Sequence, residues 1–144
     1  MMGCVFCEIV EGNKPREIVS ETKNFVVILS NPSLMKGHTL VIPKRHVEKL
    51  SELKDDEKRE LIEEIIKIEE KLLEKFSGCD IKQNYRPFLE DSRLKVSHLH
   101  FHVQPRELND ELYKNSQIYE KDLFKEITFE ELTEIKNEFF ENGK

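Results

Sequence analysis

The chain has 144 residues, of which 36% are charged and 38% hydrophobic, and its formal net charge is −6. This length predicts one small globular domain with enough apolar residues to form a core. The negative net charge argues against broad nucleic-acid binding, and no stretch approaches the roughly 20 apolar residues of a membrane span. The N-terminus also lacks the basic-then-apolar layout of a signal peptide, so we expect a cytoplasmic protein.

In chain order, apolar and β-branched runs between turn residues predict five strands, at residues 18–21, 25–29, 38–42, 79–84 and 97–103. Between the third and fourth strands, apolar residues recur at helical spacing from Leu61 to Leu72 and predict one long amphipathic helix. Acidic residues at 55–57 favour the start of this helix, and Gly78 marks its stop. Its charged face, which includes Glu64, is expected to be solvated.

The last part of the chain is strongly ionic, and its aromatic and aliphatic residues predict one or two further helices. Because the strands come in clusters and do not alternate strictly with helices, the predicted fold class is α+β. We expect an antiparallel sheet of about five strands, one long helix and C-terminal helices. Residues 1–106 would form the main domain and residues 107–144 a helical extension packed on it, with packing on a second subunit as the alternative.

Two of the three cysteines, Cys4 and Cys7, form a C-x-x-C motif. A cytosolic chain gains little from disulfides, so this pair favours metal binding, with redox chemistry and coincidence as alternatives. The third cysteine, Cys79, stands at the start of a predicted strand and is expected to be a small core residue.

Three of the five histidines stand at alternate positions: His98, His100 and His102. Successive side chains of an extended strand point to opposite faces, so three imidazoles would line one face while the apolar residues between them enter a core. An imidazole can act as nucleophile, acid, base or metal ligand near neutral pH. The segment therefore predicts a functional site.

The chain resembles the histidine triad family in three motifs: the C-x-x-C, the GHTLVIPK segment at residues 37–44, and the H-x-H-x-H segment followed by Pro105 and Arg106. The resemblance covers residues 4–106. It implies a compact α+β nucleotide-binding catalytic domain, commonly dimeric, that hydrolyses or transfers nucleotides and nucleotide conjugates at the α-phosphate. It also implies that His100 forms a covalent nucleotidyl-histidine intermediate. A neutral imidazole nitrogen can attack phosphorus when an acceptor holds the other ring nitrogen.

The same resemblance implies roles for the other histidines. His102 and His38 would contact the phosphate, where positioned donors stabilise the charge that develops during reaction. In the family branch with an N-terminal C-x-x-C, four residues hold a structural zinc, and their counterparts here are Cys4, Cys7, His46 and His98. Two thiolates and two imidazoles suit the closed tetrahedral geometry of structural zinc.

The chain departs from the family pattern around the phosphate. Many members place an asparagine eleven residues before the first triad histidine, but here that position is Pro87, and Asn84 lies three residues earlier. Lys95 stands where a Gly-Gln-Ser/Thr segment supplies a hydroxyl, so an ammonium would contact the phosphate. We expect both Asn84 and Lys95 to bind substrate, Asn84 by way of a longer loop at residues 86–92.

A second departure concerns the ribose. Ser30, with Asn31 beside it, replaces an aspartate that accepts hydrogen bonds from ribose hydroxyls in many members. Serine is uncharged and reaches less far. Gln104 stands where an apolar residue is usual and shares the face of the three imidazoles by alternation. We predict that these three residues contact the substrate and change its choice.

Two other functions are alternatives. A protein of the same fold could bind nucleotides with little or no turnover, because the residues around the leaving group differ from the family pattern. The histidines could also form a catalytic metal site, but the long helix and the absence of a carboxylate among them oppose this interpretation. The leading prediction is a nucleotide hydrolase or nucleotidyl transferase with a structural zinc, a nucleotide or nucleotide-conjugate substrate and a homodimeric state.

Overall fold

A computed structural model of the chain describes residues 3–116 and 120–141. The chain divides into two compact units, Met1–Leu112 and Tyr113–Lys144. The first unit contains a five-stranded antiparallel sheet in the order β1-β2-β3-β5-β4. Its strands are β1 (Ile18–Glu21), β2 (Phe25–Leu29), β3 (Thr39–Pro43), β4 (Gly78–Lys82) and β5 (Phe101–Arg106). This architecture confirms the predicted α+β class.

Two helices lie before and between the strands along the chain. Helix α1 (Val5–Val10) precedes β1, and helix α2 (Asp55–Leu73) connects β3 to β4 after a 3-10 turn at Leu50–Glu52. The acidic start of α2 is capped by Glu57, whose carboxylate accepts the backbone N–H of Lys54 at 2.8 Å. A negative charge at a helix N-terminus is stabilising, and the predicted start of this helix is therefore confirmed.

The sheet is buried on both faces. On one face, the side chains of alternate strand residues pack against α2, in a core that contains Phe25, Val27, Val41, Leu61, Ile65, Ile68, Leu99 and Val103. On the other face, the remaining strand residues pack against α1, in a core that contains Phe6, Ile9, Val26, Ile28, Leu40 and Ile42. Burial on two faces explains why β2 and β3 are continuous apolar runs without polar alternation.

Two predictions about α2 are wrong. The helix ends at Leu73, and Gly78 is the first residue of β4 instead of the helix stop. Glu64 is only 2% exposed although it was expected to be solvated. Its carboxylate accepts hydrogen bonds from Nζ of Lys67 at 2.7 Å and from Oγ of Ser20 at 3.4 Å. The ion pair and the hydroxyl compensate for burial of this charge under β1.

The five predicted strands are present, but the last one begins later than expected. Strand β5 starts at Phe101, so His98 and His100 precede the hydrogen-bonded ladder. The backbone N–H of Leu99 donates to the carbonyl of Val47 at 2.7 Å instead of to β3. The alternation of faces nevertheless holds, because Leu99 lies in the core under α2. Helix α1 was not predicted from the sequence.

The described residues after β5 include several short helices. They contain α3 (Glu111–Ser116), a 3-10 turn at Glu120–Asp122, α4 (Phe129–Lys136) and a π turn at Asn137–Glu141. The Oγ1 atom of Thr128 accepts the backbone N–H of Glu131 at 3.2 Å and caps α4. The C-terminal helices are therefore confirmed, while their packing on the first unit stays a prediction. Across the described ranges, no helix is both long and apolar enough to cross a membrane.

Candidate functional site

All five histidines of the chain lie close together in one row. The ring centroids of His46 and His98 are 4.9 Å apart. Those of His100 and His102 are 5.0 Å apart, and those of His102 and His38 are 5.1 Å apart. The row thus runs alongside the paired strands β3 and β5, from His38 just before β3 to His46 in the loop after it.

The ring of Phe6 divides this row in two. Phe6 comes from α1, is only 6% exposed and packs edge-on against both His98 and His100, with centroid distances of 5.8 and 5.0 Å. His98 and His46 lie on one side of it with the two N-terminal cysteines. His100, His102 and His38 lie on the other side. We call these groups the metal-ligand cluster and the imidazole cluster.

The metal-ligand cluster consists of Cys4, Cys7, His46 and His98, whose donor atoms all lie within 4.8 Å of one another. The Nδ1 atom of His98 is 3.3 Å from Sγ of Cys4 and 3.5 Å from Sγ of Cys7, and Nδ1 of His46 is 3.3 Å from Sγ of Cys7. A sulfur and a nitrogen bound to one tetrahedral zinc are about 3.6 Å apart. The four residues therefore fit a structural metal.

The surroundings of this cluster also suit a metal. The Nε2–H of His98 donates to the carbonyl of Pro43 at 2.8 Å, which leaves the Nδ1 lone pair to face the cysteines. Nε2 of His46 lies 3.9 Å from a carboxylate oxygen of Glu48. Burial, together with the neighbouring Cys4, raises the pKa of the Cys7 thiol to about 11. The Cys7 thiol thus stays protonated near pH 7 unless a cation is present to stabilise the thiolate.

In the imidazole cluster, His100 is held as a neutral ring. Its Nδ1 lies 2.7 Å from the carbonyl oxygen of His98, which can only accept, so Nδ1 carries the proton. Burial lowers the pKa of His100, which keeps the ring neutral near pH 7. The Nε2 atom consequently has a lone pair, as a nucleophile requires.

The other two imidazoles form a hydrogen-bonded pair of defined direction. The backbone N–H of Leu34 donates to Nδ1 of His38 at 3.1 Å, so the proton of the neutral His38 ring is on Nε2. That Nε2–H donates to Nδ1 of His102 at 2.9 Å, which places the proton of His102 on its own Nε2. Burial lowers the pKa of His38 to about 4 and that of His102 to about 3. His102 therefore offers an N–H donor at neutral pH.

Gly37 helps to position His38. It adopts a φ of 96°, and a Cβ atom there would lie 3.0 Å from Cγ of Pro105. The left-handed backbone and the close contact both favour glycine. The turn then directs His38 from the start of β3 toward β5.

The imidazole cluster borders two cavities, of about 600 and 330 Å³. Both volumes lie within the range of small-molecule sites. His100, His102 and Asn84 line both cavities. Four other predicted substrate residues line only the larger cavity: Ser30, Asn31, His38 and Gln104.

Lys95 lines only the smaller cavity, and its ammonium group already has partners. Its Nζ donates to a carboxylate oxygen of Asp91 at 3.0 Å and to Oγ of Ser97 at 2.7 Å. The Ser97 hydroxyl in turn donates to Asp91 at 2.6 Å. The hydrogen bonds from Ser97 and Lys95 hold the pKa of Asp91 below its usual value. The smaller cavity thus carries a compact Asp91–Lys95–Ser97 group.

Gln104 contacts the imidazole pair from inside the protein. It is 1% exposed, and its amide nitrogen lies 3.4 Å from Nε2 of His38. Within the described part of the chain, its Oε1 has no hydrogen-bond partner. Because Nε2 of His38 is a donor, an amide turned over by 180° would place Oε1 as a second acceptor for that N–H. Gln104 therefore helps to fix the orientation of the His38 ring.

Some residues of the site were not predicted. Phe6 lies within the C-x-x-C motif, yet its contact with two histidines depends on helix α1. Lys82 is paired directly with His102 across β4 and β5, and its charge contributes to the lowered pKa of His102. Arg86 also lines both cavities. A strand register for β4 was the signal that could have placed Lys82 beside the triad.

A five-stranded antiparallel sheet, an imidazole cluster beside a cavity and a C-x-x-C metal-ligand cluster together define the class of histidine triad proteins. The family model described as HIT domain matches residues 11–109. The chain belongs to this family.

Relatives and solved structures agree with this assignment. The chain is 32% identical over 108 residues to adenosine 5′-monophosphoramidase hnt1 of Schizosaccharomyces pombe, with 73% of this chain and 75% of that protein covered. It is similar to SMU.412c from Streptococcus mutans UA159, with a TM-score of 0.77, 31% identity, and 96% of this chain and 83% of that chain covered. For a zinc-bound histidine triad family protein from Mycobacterium smegmatis, the TM-score is 0.58 and the identity 31%, with coverage of 77% and 80%.

Proposed function

We propose that this protein is a nucleotide hydrolase or nucleotidyl transferase that acts at the α-phosphate of a nucleotide conjugate, with His100 as the nucleophile. The observation that carries this proposal is the neutral ring of His100, whose Nδ1–H is held by the carbonyl of His98 at the boundary of two cavities. Family membership and the monophosphoramidase among the relatives support the activity class. Phosphoramidates and dinucleoside polyphosphates are the candidate substrates.

In the first step, the Nε2 lone pair of His100 attacks the α-phosphorus, and the leaving group departs with the bonding electrons. The Nε2–H of His102 donates to a phosphoryl oxygen, and its orientation is fixed by the hydrogen bond from His38. The positive charges of Lys82 and Arg86 stabilise the charge that develops on the phosphoryl group. In the second step, water attacks the nucleotidyl-histidine and releases the nucleotide.

The predicted substrate contacts divide between the two cavities. In the larger one, Ser30 and Asn31 would contact the ribose, with Asn84 and Gln104 nearer the phosphate. Lys95 in the smaller cavity would face the leaving group. This division supports one cavity for the nucleotide and another for the group that leaves.

We propose that the metal of the metal-ligand cluster is zinc, held by Cys4, Cys7, His46 and His98. Two sulfurs and two nitrogens form the donor set that structural zinc prefers, and a zinc-bound relative supports this choice. The bound metal would tie α1 to the segment before β5. It would leave all the chemistry to His100, because its four protein ligands complete the coordination.

The homodimer and the cytoplasmic location stay predictions that come from the family resemblance and the sequence composition. Sedimentation at micromolar concentration tests the first of these. A species of twice the chain mass is expected, and a monomer alone would contradict the prediction.

The covalent intermediate is tested by trapping. The purified protein is mixed with adenosine 5′-phosphoramidate, quenched in denaturant within milliseconds to seconds, and digested for mass spectrometry. We expect an adenylyl group on the peptide that contains His100. The His100→Ala variant serves as the control and should carry no adduct.

Trapping, combined with a calorimetric titration and product assays, separates the enzyme from its alternative, a nucleotide-binding protein with little or no turnover. A binder would take up AMP in a calorimetric titration and yet show neither adduct nor product with phosphoramidates, dinucleoside polyphosphates or adenylated conjugates. That combination of results would contradict the proposed activity and establish the alternative.

A further inference from the structure

The larger cavity has an unusual charge distribution for a protein with a net charge of −6. Five cationic side chains line it: Lys14, Arg16, Lys82, Arg86 and Arg93. Among the described residues, no aspartate or glutamate lines it. A concave surface lined by one sign of charge concentrates ligands of the opposite sign. The cavity thus provides more positive charge than a single phosphate group requires.

Four of these cations lie at two separate places along the sheet. Lys82 is directly opposite His102 on the neighbouring strand, and Arg86 lies close enough for its charge to affect His102. Lys14 and Arg16 precede β1, which lies three strands away from β5 in the sheet order. Lys82 itself lies on β4, four strands away from β1, and neighbouring strands are about 4.8 Å apart, so the backbones that carry the two groups are separated by about 19 Å. One phosphate group cannot contact both.

The second group lies beside the residues predicted to contact the ribose. A guanidinium nitrogen of Arg16 donates to the backbone carbonyl of Asn31 at 3.4 Å, and another donates to the carbonyl of Pro15 at 3.1 Å. Ser30 donates its hydroxyl proton to the carbonyl of Pro32 at 2.7 Å, so its oxygen has only lone pairs left for a ligand. In the described part of the chain, no carboxylate is within ion-pair distance of Arg16, whereas Lys14 pairs with Glu8 at 3.4 Å.

The ribose end of the cavity therefore has an arginine and no carboxylate. In dinucleotide-binding folds, an acidic residue at the ribose accepts hydrogen bonds from free hydroxyls, whereas a nearby arginine accommodates a ribose phosphate. Ser30 at the position of the family's aspartate removes the charge that would repel such a phosphate. A guanidinium group can then bind the phosphate through two parallel hydrogen bonds.

We propose that Arg16, with Ser30 beside it, forms a second anion subsite for a phosphate group on the ribose. The preferred substrates would be 5′-nucleotidyl conjugates with a further phosphate at the 2′ or 3′ position. This inference rests on the proposed function only for the placement of the ribose in the larger cavity.

Calorimetric titration with AMP, adenosine 2′,5′-bisphosphate and adenosine 3′,5′-bisphosphate tests the subsite on the full chain. We expect at least one of the two bisphosphates to bind about tenfold more tightly than AMP, as one additional charge-assisted contact would give. The ratio of the two dissociation constants should fall below about threefold in Arg16→Ala. It should stay at the wild-type value in Arg59→Ala, which removes the same charge from an exposed site on α2.

A reciprocal variant completes the test. Ser30→Asp restores a carboxylate and should lower the bisphosphate advantage by about tenfold. Bisphosphates that bind no more tightly than AMP, or an advantage that persists in Arg16→Ala, would overturn the proposal. If ADP shows the same gain over AMP as the bisphosphates, and Arg16→Ala leaves both gains unchanged, the extra phosphate binds the cations beside His102, which would also overturn the proposal. Bisphosphate selectivity without any adduct on His100 would instead leave the subsite intact and reject the proposed activity.

Discussion

The metal-ligand cluster and the imidazole cluster use the same residue type on neighbouring positions of one segment, yet they differ in almost every other respect. His98 is 2% exposed and surrounded by donors that close around one point. His100 and His102 border both cavities and have hydrogen-bonding atoms left for a ligand, whereas His98 borders only the smaller one. The difference arises from the partner elements, because the N-cap and first turn of α1 supply two thiols to one cluster and the residue before β3 supplies a third imidazole to the other. Thus the neighbouring elements, and not the histidines themselves, decide whether a ring joins a closed set of metal-ligating atoms or borders the larger cavity.

The largest expected effects come from replacing one histidine of each cluster in turn and comparing the two variants. His100→Ala should lower kcat by about 10⁴-fold or more, because the nucleophile is removed, and should change Tm by less than about 5 °C. His98→Ala should show the reverse order of effects, with lost metal and a lower Tm. Steady-state kinetics and thermal unfolding measure both variants. Full activity in His100→Ala would remove His100 from the mechanism.

A second prediction concerns the metal and has an intermediate effect. Cys4→Ala should abolish stoichiometric zinc and lower Tm by about 10 °C, since α1 loses its tie to the segment before β5. The value of kcat should fall by less than about tenfold, because the metal does not take part in the reaction. Cys79→Ala, which removes a half-buried thiol outside the cluster, is the matched control. Elemental analysis that finds no zinc in metal-replete wild-type protein would contradict this prediction.

The smallest effect concerns pH. The pKa of His38 is lowered from 6.5 to about 4, chiefly by burial, so the unfolded chain binds more protons than the folded one between these values. The free energy of unfolding should therefore fall as the pH is lowered from about 6.5 to 4, by at most about 1.4 kcal/mol per pH unit for this imidazole.

Denaturant titrations at several pH values check this expectation on the wild type and on His38→Asn. Loss of metal at acid pH affects both proteins, so the difference between them isolates His38. A shallower dependence is expected for the variant. Equal slopes would show that folding does not shift the pKa of His38, which would contradict this prediction.

Local pattern was sufficient for the sheet, the long helix and the grouping of the histidines. The periodicity of Leu61 to Leu72 reflects a buried face of α2, and the apolar runs of β2 and β3 reflect burial on two faces. The family resemblance named Cys4, Cys7, His46 and His98, and the structure brings these four residues together. Short motifs can predict such a site because each of their residues makes one defined contact in it.

Features that depend on tertiary register escaped prediction. Helix α1 has only six residues, too few for a periodic signal, and its existence depends on packing against the sheet. The pairing of Lys82 with His102 requires the register of β4, and the contacts of Lys95 with Asp91 and Ser97 require the path of a loop. The burial of Glu64 likewise depends on where β1 crosses α2. None of these arises from a property of the local sequence alone.

Phe6 gives the C-x-x-C spacing a second meaning. Because Phe6 stands between the two cysteines in the sequence and its ring packs against both His98 and His100, the C-x-x-C motif fixes the position of the His100 ring as well as that of the two thiols. A one-residue insertion between Cys4 and Cys7 would turn the Phe6 ring away from the two histidines and would also displace one of the thiols. The spacing of the motif thus couples the two clusters through a single aromatic side chain.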